Sequence, residues 1–430
     1  MNRMKTGPRG KPGGSEIHQA VPEQSRRGVV IKKGWKVARL EDITTKIGSG
    51  ATPRGGDESY KAEGISLIRS LNVYDDGFRE SKLARIDDEQ ADRLANVVVE
   101  ENDVLLNITG ASVARCCVAP ADFLPARVNQ HVSIIRPVKT KLDSQFLHFL
   151  LISKSYKDRL LHTGEGGSTR QAITKAQIQE FSIDYPESLA EQQRIVGLLD
   201  EAFEGIATAK ANAEKNLQNA RAIFESHLQS VFTQRGKGWV EKRFDEVCAI
   251  TSTLVDPRKK EFLNLTHVGA GNIESKTGVF VDLKTAREEC LISGKFLFDK
   301  SMVLYSKIRP YLMKVARPGF AGLCSADMYP LAPIPNIITR DYLFHLLLSK
   351  HFTDYAIQGS ARAGMPKVNR EHLFEFRVWL PDVKKQNQLA GSLDSLHEET
   401  QRLAAIYQQK LTALEALKKS LLHQAFSGEL

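Results

Sequence analysis

The sequence predicts a mixed α/β (α+β) protein in which two similar globular domains alternate with two long helices. The chain has 430 residues, and a single hydrophobic core rarely grows beyond about 250–300 residues. Its two halves contain similar segments in the same order, and each half ends in a long stretch with heptad-like spacing. Length, repeat and periodicity together predict two tandem domains separated by a two-helix coiled coil.

An internal repeat defines this architecture. Gly34-Trp35 near the start of the first half recurs as Gly238-Trp239 in the second. The matched segments are 34–43 with 238–247, 146–154 with 342–350, 180–186 with 375–381, and 228–232 with 422–426. Because so many segments recur in one order, we interpret the chain as a tandem duplication.

The segment that ends each half predicts a long helix. Its apolar residues recur at alternating steps of four and three, which places them along one side of a helix. The predicted seam comprises Ile195, Leu199, Ile206 and Ile223 in the first helix, and Leu389, Leu393, Leu396, Leu403, Leu414, Leu417 and Leu421 in the second. The first seam is rich in Ala and the second in Leu, so the helices are expected to pack against each other. The alternative is two amphipathic helices, each lying on its own globular core.

The repeat also predicts the direction of the helices. Each helix begins where one globular domain ends, near Pro186 or Pro381, and closes with a similar Leu-x-x-x-Phe pattern. Pseudo-twofold symmetry then requires an antiparallel pair, with the end of the second helix beside Gly34-Trp35. The predicted divisions are a flexible basic tail at 1–32, a first domain at 33–186, a central helix at 187–236, a second domain at 237–381 and a C-terminal helix at 382–430.

The charge distribution is compatible with a nucleic-acid partner. The net charge is +9, and a basic balance favours binding to phosphate, although it does not require it. Residues 236–381 contain 21 Lys and Arg against 15 Asp and Glu, whereas residues 33–185 contain 21 of each kind. We therefore expect more phosphate contact from the second domain.

Several protein classes are disfavoured by composition. No apolar run approaches the roughly eighteen residues that a membrane-spanning helix needs. The five cysteines include no C-x-x-C pair, which argues against a disulfide framework and against a zinc site. We expect a cytoplasmic protein that makes no membrane contact and binds no metal.

Catalytic and nucleotide-binding motifs are missing from the sequence. An adenine methyltransferase needs an Asn- or Asp-Pro-Pro-aromatic loop, and the chain has no Pro-Pro dipeptide. It also has no G-x-x-x-x-G-K-[ST] motif, and Gly269-Ala270-Gly271 alone is weak evidence for a nucleotide site. We therefore predict no catalytic residues and no cofactor bound by this chain.

Loops rich in Gly and hydroxyl residues, together with basic clusters, are candidates for DNA contact. Backbone N–H groups and Ser or Thr hydroxyls can approach phosphates closely, and Arg can read guanine. The candidates in the first domain are Ser49, Thr52, Arg54, Arg69, Ser168, Thr169, Arg170 and Gln171. Those in the second are Arg258, Lys259, Lys260, Lys307, Arg309, Tyr311, Arg362 and Lys367. A solvated loop is the alternative for each of them.

Residues 33–430 resemble the DNA-specificity (S) subunits of Type I restriction-modification systems. The resemblance is carried by 34–43, Gly48-Ser49-Gly50-Ala51-Thr52-Pro53, Glu191-Gln192-Gln193-Arg194-Ile195-Val196 and the closing Gln424-Ala425-Phe426-Ser427-Gly428-Glu429-Leu430. It implies two target-recognition domains that read a split sequence in double-stranded DNA. It also implies two modification (methyltransferase) subunits that bind S-adenosylmethionine, and restriction (translocase/endonuclease) subunits, with ATP and Mg on the partner subunits.

The second half departs from this pattern, and two other functions compete with it. Glu191-Gln192-Gln193 becomes Lys385-Gln386-Asn387, and the 49–53 loop has no clear copy after Ile250. The chain could instead be a stand-alone specificity protein exchanged between related methyltransferases. It could also be a coiled-coil scaffold with no DNA role.

Overall fold

The computed structural model describes residues 32–164, 172–360, 366–427 and 429. The chain divides into two compact units. The first comprises residues up to Glu204 together with those from Leu417 onward, and the second comprises Gly205–Ala416. Each of the two long helices therefore contributes a segment to both units.

The first unit contains twelve strands among its described residues. They are β1 Trp35–Arg39, β2 Thr44–Ser49, β3 Ile65–Ile68, β4 Val73–Tyr74, β5 Gly77–Phe78, β6 Ala84–Ile86, β7 Val98–Val99, β8 Val104–Asn107, β9 Cys116–Val118, β10 Ala126–Val128, β11 Val132–Pro137 and β12 Ser182–Pro186. The helices that begin in it are α1 Leu40–Ile43, α2 Asp88–Asp92, α3 Ser144–Ile152, α4 Lys154–Gly164, α5 Lys175–Glu180 and α6 Leu189–Thr233.

The second unit repeats this plan. Its strands are β13 Val240–Arg243, β14 Cys248–Ala249, β15 Leu254–Val255, β16 Thr266–Val268, β17 Lys284–Thr285, β18 Lys295–Phe298, β19 Val303–Ser306, β20 Val315–Ala316, β21 Gly322–Ser325, β22 Met328–Pro333 and β23 Arg377–Leu380. Its helices are α7 Arg340–Leu348, α8 Lys350–Gln358, α9 Arg370–Glu375 and α10 Val383–Ser427.

Sheet topology shows the duplication directly. The order β2-β11-β8-β9 in the first unit matches β14-β22-β19-β20 in the second. The order β6-β3-β10-β7 matches β17-β16-β21-β18, with β15 added at the edge. Among the described sheets, each unit has one parallel pair of strands. The two pairs, β3 with β10 and β16 with β21, hold equivalent positions. The predicted mixed α/β fold with tandem repeats is confirmed.

The long helices are part of the hydrophobic cores of the units. In the first unit Ile195 and Leu199 of α6 pack with Leu422 and Ala425 of α10 and with the buried side chains of the globular part. In the second unit Phe224, Leu228 and Val231 of α6 join Ala390 and Leu393 of α10 in the same way. Burial of these apolar side chains, rather than helix propensity, stabilises helices of this kind.

The two long helices run antiparallel, as the sequence predicts. Within the second unit, the Lys210 ammonium lies 2.7 Å from the Glu415 carboxylate. Further along α6, the Phe224 ring lies 4.6 Å from the His397 ring. Contacts therefore advance along α6 while they go back along α10. Among the described residues, no helix is both long and apolar enough to cross a membrane.

Part of the predicted seam is wrong. Ile223, Leu403 and Leu417 are 50%, 38% and 46% exposed. Buried Phe224 takes the place of Ile223, and partly buried Ala404 and Lys418 take the places of Leu403 and Leu417. Of the other predicted seam residues, Ile195, Leu199, Ile206 and Leu393 are buried, and Leu389, Leu396, Leu414 and Leu421 are partly buried.

The wrong seam residues have a physical explanation. Buried residues along a helix are separated by steps of three and four residues, and the sequence does not show in which order the two steps come. Both orders keep residues on one side of a helix, so periodicity alone does not distinguish them. In α10 the Lys418 ammonium lies over the Phe203 ring at 4.7 Å, which turns Leu417 outward. Beyond Ala220, α6 packs on the globular part of the second unit as well as on α10, and the bulky Phe224 faces that core.

The end of α10 lies beside the start of the first globular part, which makes circular permutation testable. The Lys32 ammonium donates to the Phe426 carbonyl at 2.6 Å, and the Phe426 and Phe146 rings are 5.5 Å apart. We expect a chain in which Leu430 is joined to Lys33 by a short linker, and which begins near Lys237, to fold and to select the same DNA target. The measurement compares circular dichroism spectra and selected DNA sequences. A permuted chain that is unfolded or selects another target would contradict the expectation.

Candidate nucleic-acid interface

Three connections of the first unit meet at one end of the β2-β11-β8-β9 sheet. They are residues 108–115 between β8 and β9, residues 129–131 between β10 and β11, and residues 172–173 before α5; we name them loop cluster 1. The Ile108 amide donates to the His131 carbonyl at 3.0 Å, and the Ile173 amide donates to the Ile108 carbonyl at 2.8 Å. Backbone hydrogen bonds therefore hold the three connections in one surface.

Polar side chains from loop cluster 1 line an open groove of about 530 Å³. The lining residues are Ser70, Thr109, Gly110, Ala111, Ser112, Arg115, His131 and Ala172. The Arg115 guanidinium lies over the Tyr74 ring at 4.8 Å, which restricts its movement. Hydroxyl, imidazole and guanidinium groups on a rigid surface are the groups that bind phosphates and base edges.

The Gly-rich loop that the sequence singled out joins this surface. The Gly50 amide donates to the Asn129 carbonyl at 3.1 Å. A Cβ at Gly50 would lie 1.8 Å from the Val128 carbonyl oxygen, so only glycine allows this close approach. The approach brings Thr52 to loop cluster 1, where its hydroxyl donates to Gln130 Oε1.

The equivalent connections of the second unit form loop cluster 2. It comprises residues 307–314 between β19 and β20, residues 326–327 between β21 and β22, and residues 366–368 before α9. The Lys307 amide donates to the Asp327 carbonyl at 3.0 Å, and the Val368 amide donates to the Lys307 carbonyl at 2.8 Å. This is the same pattern as in loop cluster 1, with Lys307 in the place of Ile108.

Loop cluster 2 carries lysines at two positions where loop cluster 1 carries uncharged Ile108 and Ala172. The ammonium groups of Lys307 and Lys367 both lie 3.9 Å from Asp327 Oδ1, and the Arg370 guanidinium lies over the Tyr329 ring at 5.9 Å. Burial, followed by repulsion from Lys367, lowers the pKa of Lys307 despite the attraction of Asp327. The Lys307 ammonium also donates to the Ala326 carbonyl. The two ammonium groups face one carboxylate, and a phosphate would relieve their repulsion.

The backbone of loop cluster 2 is strained at two residues. Arg309 has φ of 50° and Met313 has φ of 48°, a left-handed conformation that is unfavourable for residues other than glycine. The Arg309 amide donates to the Pro366 carbonyl at 2.9 Å, which helps to hold this conformation. Strain of this kind is concentrated at functional sites, where the surrounding structure maintains it. Tyr311, 52% exposed, lies between the two strained residues.

Apart from Arg69, the predicted site residues fall into three groups. Thr52 lies at loop cluster 1, and Lys307, Arg309, Tyr311 and Lys367 lie together in loop cluster 2. Ser49 ends β2, and Arg54, Arg258, Lys259 and Lys260 are exposed, with Arg258 paired to Asp256 at 2.8 Å. Ser168, Thr169, Arg170, Gln171 and Arg362 lie outside the described residues.

Arg69 has a structural role that the sequence did not indicate. Its guanidinium donates to the Lys82 carbonyl at 2.6 Å and lies 4.9 Å from the Tyr60 ring. Its backbone amide donates to the Asn72 side chain at 3.0 Å. Arg69 therefore fixes the turn that follows β3.

The sequence missed several residues of the two clusters. Thr109, Arg115, Gln130 and His131 of loop cluster 1, and Arg370 beside loop cluster 2, were not among its candidates. They occupy matching places in the two halves of the fold, because Asn107 pairs with Val132 as Ser306 pairs with Met328. The loops themselves share no sequence, however, so only strand register aligns them.

Comparisons with known proteins identify the family of this chain. The Type I restriction modification DNA specificity domain family matches residues 32–218 and 236–413. The specificity subunit of the Type I restriction enzyme EcoDI from Escherichia coli is 30% identical over 334 residues, which cover 70% of this chain and 73% of that protein. The MjaVIII specificity subunit from Methanocaldococcus jannaschii is 21% identical, with 94% of each chain covered.

Solved structures share the fold. The HsdS subunit from Thermoanaerobacter tengcongensis has a TM-score of 0.60 at 16% identity, covering 93% of this chain and 98% of that one. A chain from a structural study of complex assembly and conformational transition in the type I R-M system has a TM-score of 0.70 at 15% identity, covering 93% and 99%. The family match spans more than half of the sequence, and the chain belongs to the DNA specificity subunits of Type I restriction-modification systems.

Proposed function

We propose that this specificity subunit reads a two-part DNA target through loop clusters 1 and 2, one cluster for each part. The observation that carries the proposal is that one backbone arrangement presents two different chemistries. In the second unit, Ile308 and Asp327 stand in the places of Thr109 and His131. Lys307 and Lys367 stand there in the places of Ile108 and Ala172. Two half-sites of different sequence require such a difference, because base edges are distinguished by the donors and acceptors that face them.

The subunit itself is non-catalytic in this proposal. It docks two modification subunits, which bind S-adenosylmethionine, and through them restriction subunits that use ATP and Mg. The support is the family membership, together with a sequence that lacks a methyltransferase loop and a P-loop. The single purified chain is accordingly expected to methylate and cleave no DNA.

A gel-shift experiment with the full chain tests the function. The chain is mixed with a pool of duplex DNA, with and without its cognate modification subunit, and bound sequences are recovered and read. A two-part consensus that appears when the modification subunit is present supports the proposal. Equally specific binding by the chain alone would favour a stand-alone specificity protein, and no binding in either mixture would favour a scaffold. Methylation by the chain alone would contradict its non-catalytic role.

Loop cluster 2 gives a quantitative prediction about salt. If Lys307 and Lys367 each neutralise one phosphate, the K307Q/K367Q variant should release about two fewer counterions on binding. The slope of log affinity against log salt should then become shallower by about 1.8. Fluorescence anisotropy over a range of salt concentrations, with the modification subunit present, measures this slope.

The matched control for this prediction is Lys350→Gln. Lys350 also lies in the second unit, is 67% exposed, and forms an i,i+4 pair with Asp354 on α8. Its replacement removes a charge from outside the cluster and should leave the slope nearly unchanged. Equal slopes for K307Q/K367Q and the wild-type chain would show that the two lysines do not contact phosphate.

A further inference from the structure

A network of hydrogen-bonded side chains crosses loop cluster 1. The Thr52 hydroxyl contacts Gln130 Oε1, Gln130 Nε2 lies 3.1 Å from His131 Nε2, and His131 Nδ1 lies 2.6 Å from Thr109 Oγ1. The four side chains come from three separate loops, which are joined by the backbone bonds of Gly50 and Ile108. Their order in space is therefore set by the fold rather than by proximity in the sequence.

This hydrogen-bond network restricts the movement of the Gln130 amide from both ends. A hydroxyl donates to Oε1 on one side, and Nε2 donates on the other side, since an amide nitrogen has no acceptor function. With Oε1 accepting from Thr52, the imidazole tautomer that accepts at Nε2 carries its proton on Nδ1, towards Thr109. Both polar atoms of the Gln130 amide thus have a hydrogen-bonding partner within the protein.

Gln130 retains hydrogen-bonding capacity on its outer side. The residue is exposed, and after its two internal bonds it keeps one N–H donor and one acceptor lone pair. A paired donor and acceptor on a glutamine matches N7 and N6 of adenine in the major groove. A side chain that is already oriented loses little entropy when it makes such a pair.

We propose that Gln130 recognises an adenine in the half of the target that the first unit reads, with Thr52 and His131 acting as positioning residues. This inference rests on the proposed function of the chain. The second unit offers an internal contrast. Strand register places Ala326 at the position of Gln130, because Val132 lies opposite Asn107 as Met328 lies opposite Ser306. Alanine makes no side-chain hydrogen bond, so we expect this kind of adenine recognition in the half-site of the first unit only.

The test is selection of duplex DNA from a random pool by the full chain with its modification subunit. Q130A should relax one adenine position of one half-site and weaken binding to the wild-type target by about 5- to 150-fold. Q130E should move that position towards cytosine, because a carboxylate accepts from cytosine N4. T52V should relax the same position to a smaller extent, since the amide stays but is no longer held on one side.

The matched control is Q218A, which removes an exposed glutamine from α6 and should leave the selected sequence unchanged. The other positions of the same half-site report on the folding of the first unit, because a misfolded unit would lose all of them. A wild-type chain that selects a two-part target while Q130A selects it with every position unchanged overturns the assignment alone. A wild-type chain that selects no sequence overturns the proposed function and, with it, the role of Gln130.

Discussion

Replacing Arg136 with methionine is expected to destabilise the first unit by about 3–5 kcal/mol. Asp103 is fully buried, and its carboxylate accepts from Arg136 Nε at 2.7 Å and Nη2 at 2.9 Å. The hydrogen bond to Asp103 raises the pKa of Arg136, which keeps the guanidinium charged. Removing the guanidinium leaves a buried carboxylate that only the Glu100 amide still satisfies, with a hydrogen bond of 2.8 Å.

This ion pair bears on the candidate interface. Asp103 directly precedes β8, and Arg136 is the penultimate residue of the neighbouring strand β11. Loop cluster 1 lies at the opposite ends of these two strands. Loss of the pair should therefore loosen the register on which the position of His131 depends.

Urea denaturation of the full chain, followed by circular dichroism, measures the effect of R136M. The matched control is R93M, because Arg93 forms an i,i+4 pair with Glu89 in which the side chains are 69% and 78% exposed. Such surface pairs contribute about 0–1 kcal/mol. The double variant D103L/R136M should recover part of the loss, since it removes both charges. A cost for R136M no larger than for R93M would show that the pair is not a buried one.

Replacing Gln192 or Gln386 with methionine is expected to cost about 3 kcal/mol in each case. Gln192 is fully buried near the start of α6. Its Oε1 accepts from the Asp143 amide at 2.8 Å, and its Nε2 donates to the carbonyls of Lys141 and Pro186 at 2.9 and 2.8 Å. Each buried backbone group left without a partner costs about 1–3 kcal/mol.

Gln386 makes the same three bonds in the second unit. Its Oε1 accepts from the Thr339 amide at 2.9 Å, and its Nε2 donates to the carbonyls of Ile337 and Pro381 at 2.8 and 2.9 Å. Each glutamine therefore ties the first turn of a long helix to the globular part that precedes it. The flanking residues differ between the halves, but the central glutamine is the same in both.

Exposed neighbours of the two glutamines provide the controls. Gln193 and Asn387 follow them directly and are exposed, so Q193M and N387M should change the free energy of unfolding by less than about 0.5 kcal/mol. The same urea titration compares all four variants. A loss under about 1 kcal/mol for both Q192M and Q386M would show that the three bonds do not hold the helix to its domain.

The sequence determined the architecture of this protein because its signals are local or repetitive. The matched segments predicted the duplication, and heptad spacing predicted the long helices that the structure places at Leu189–Thr233 and Val383–Ser427. Symmetry between the halves predicted the antiparallel direction. The Gly-rich 48–53 segment also indicated a loop of interest, since a close approach such as that of Gly50 requires glycine.

The tertiary structure alone decided which side chains meet. Steps of three and four look alike in a sequence, so only contact with the globular part showed that Phe224 rather than Ile223 is buried. Thr52, Thr109 and Gln130 are far apart in the chain and become neighbours through the register of β8 on β11 and the approach of Gly50 to Val128. Strand register depends on long-range backbone pairing, and a one-residue shift would turn every side chain to the other face. Local sequence patterns contain no direct record of that pairing, and so the residues of the candidate interface emerged only from the fold.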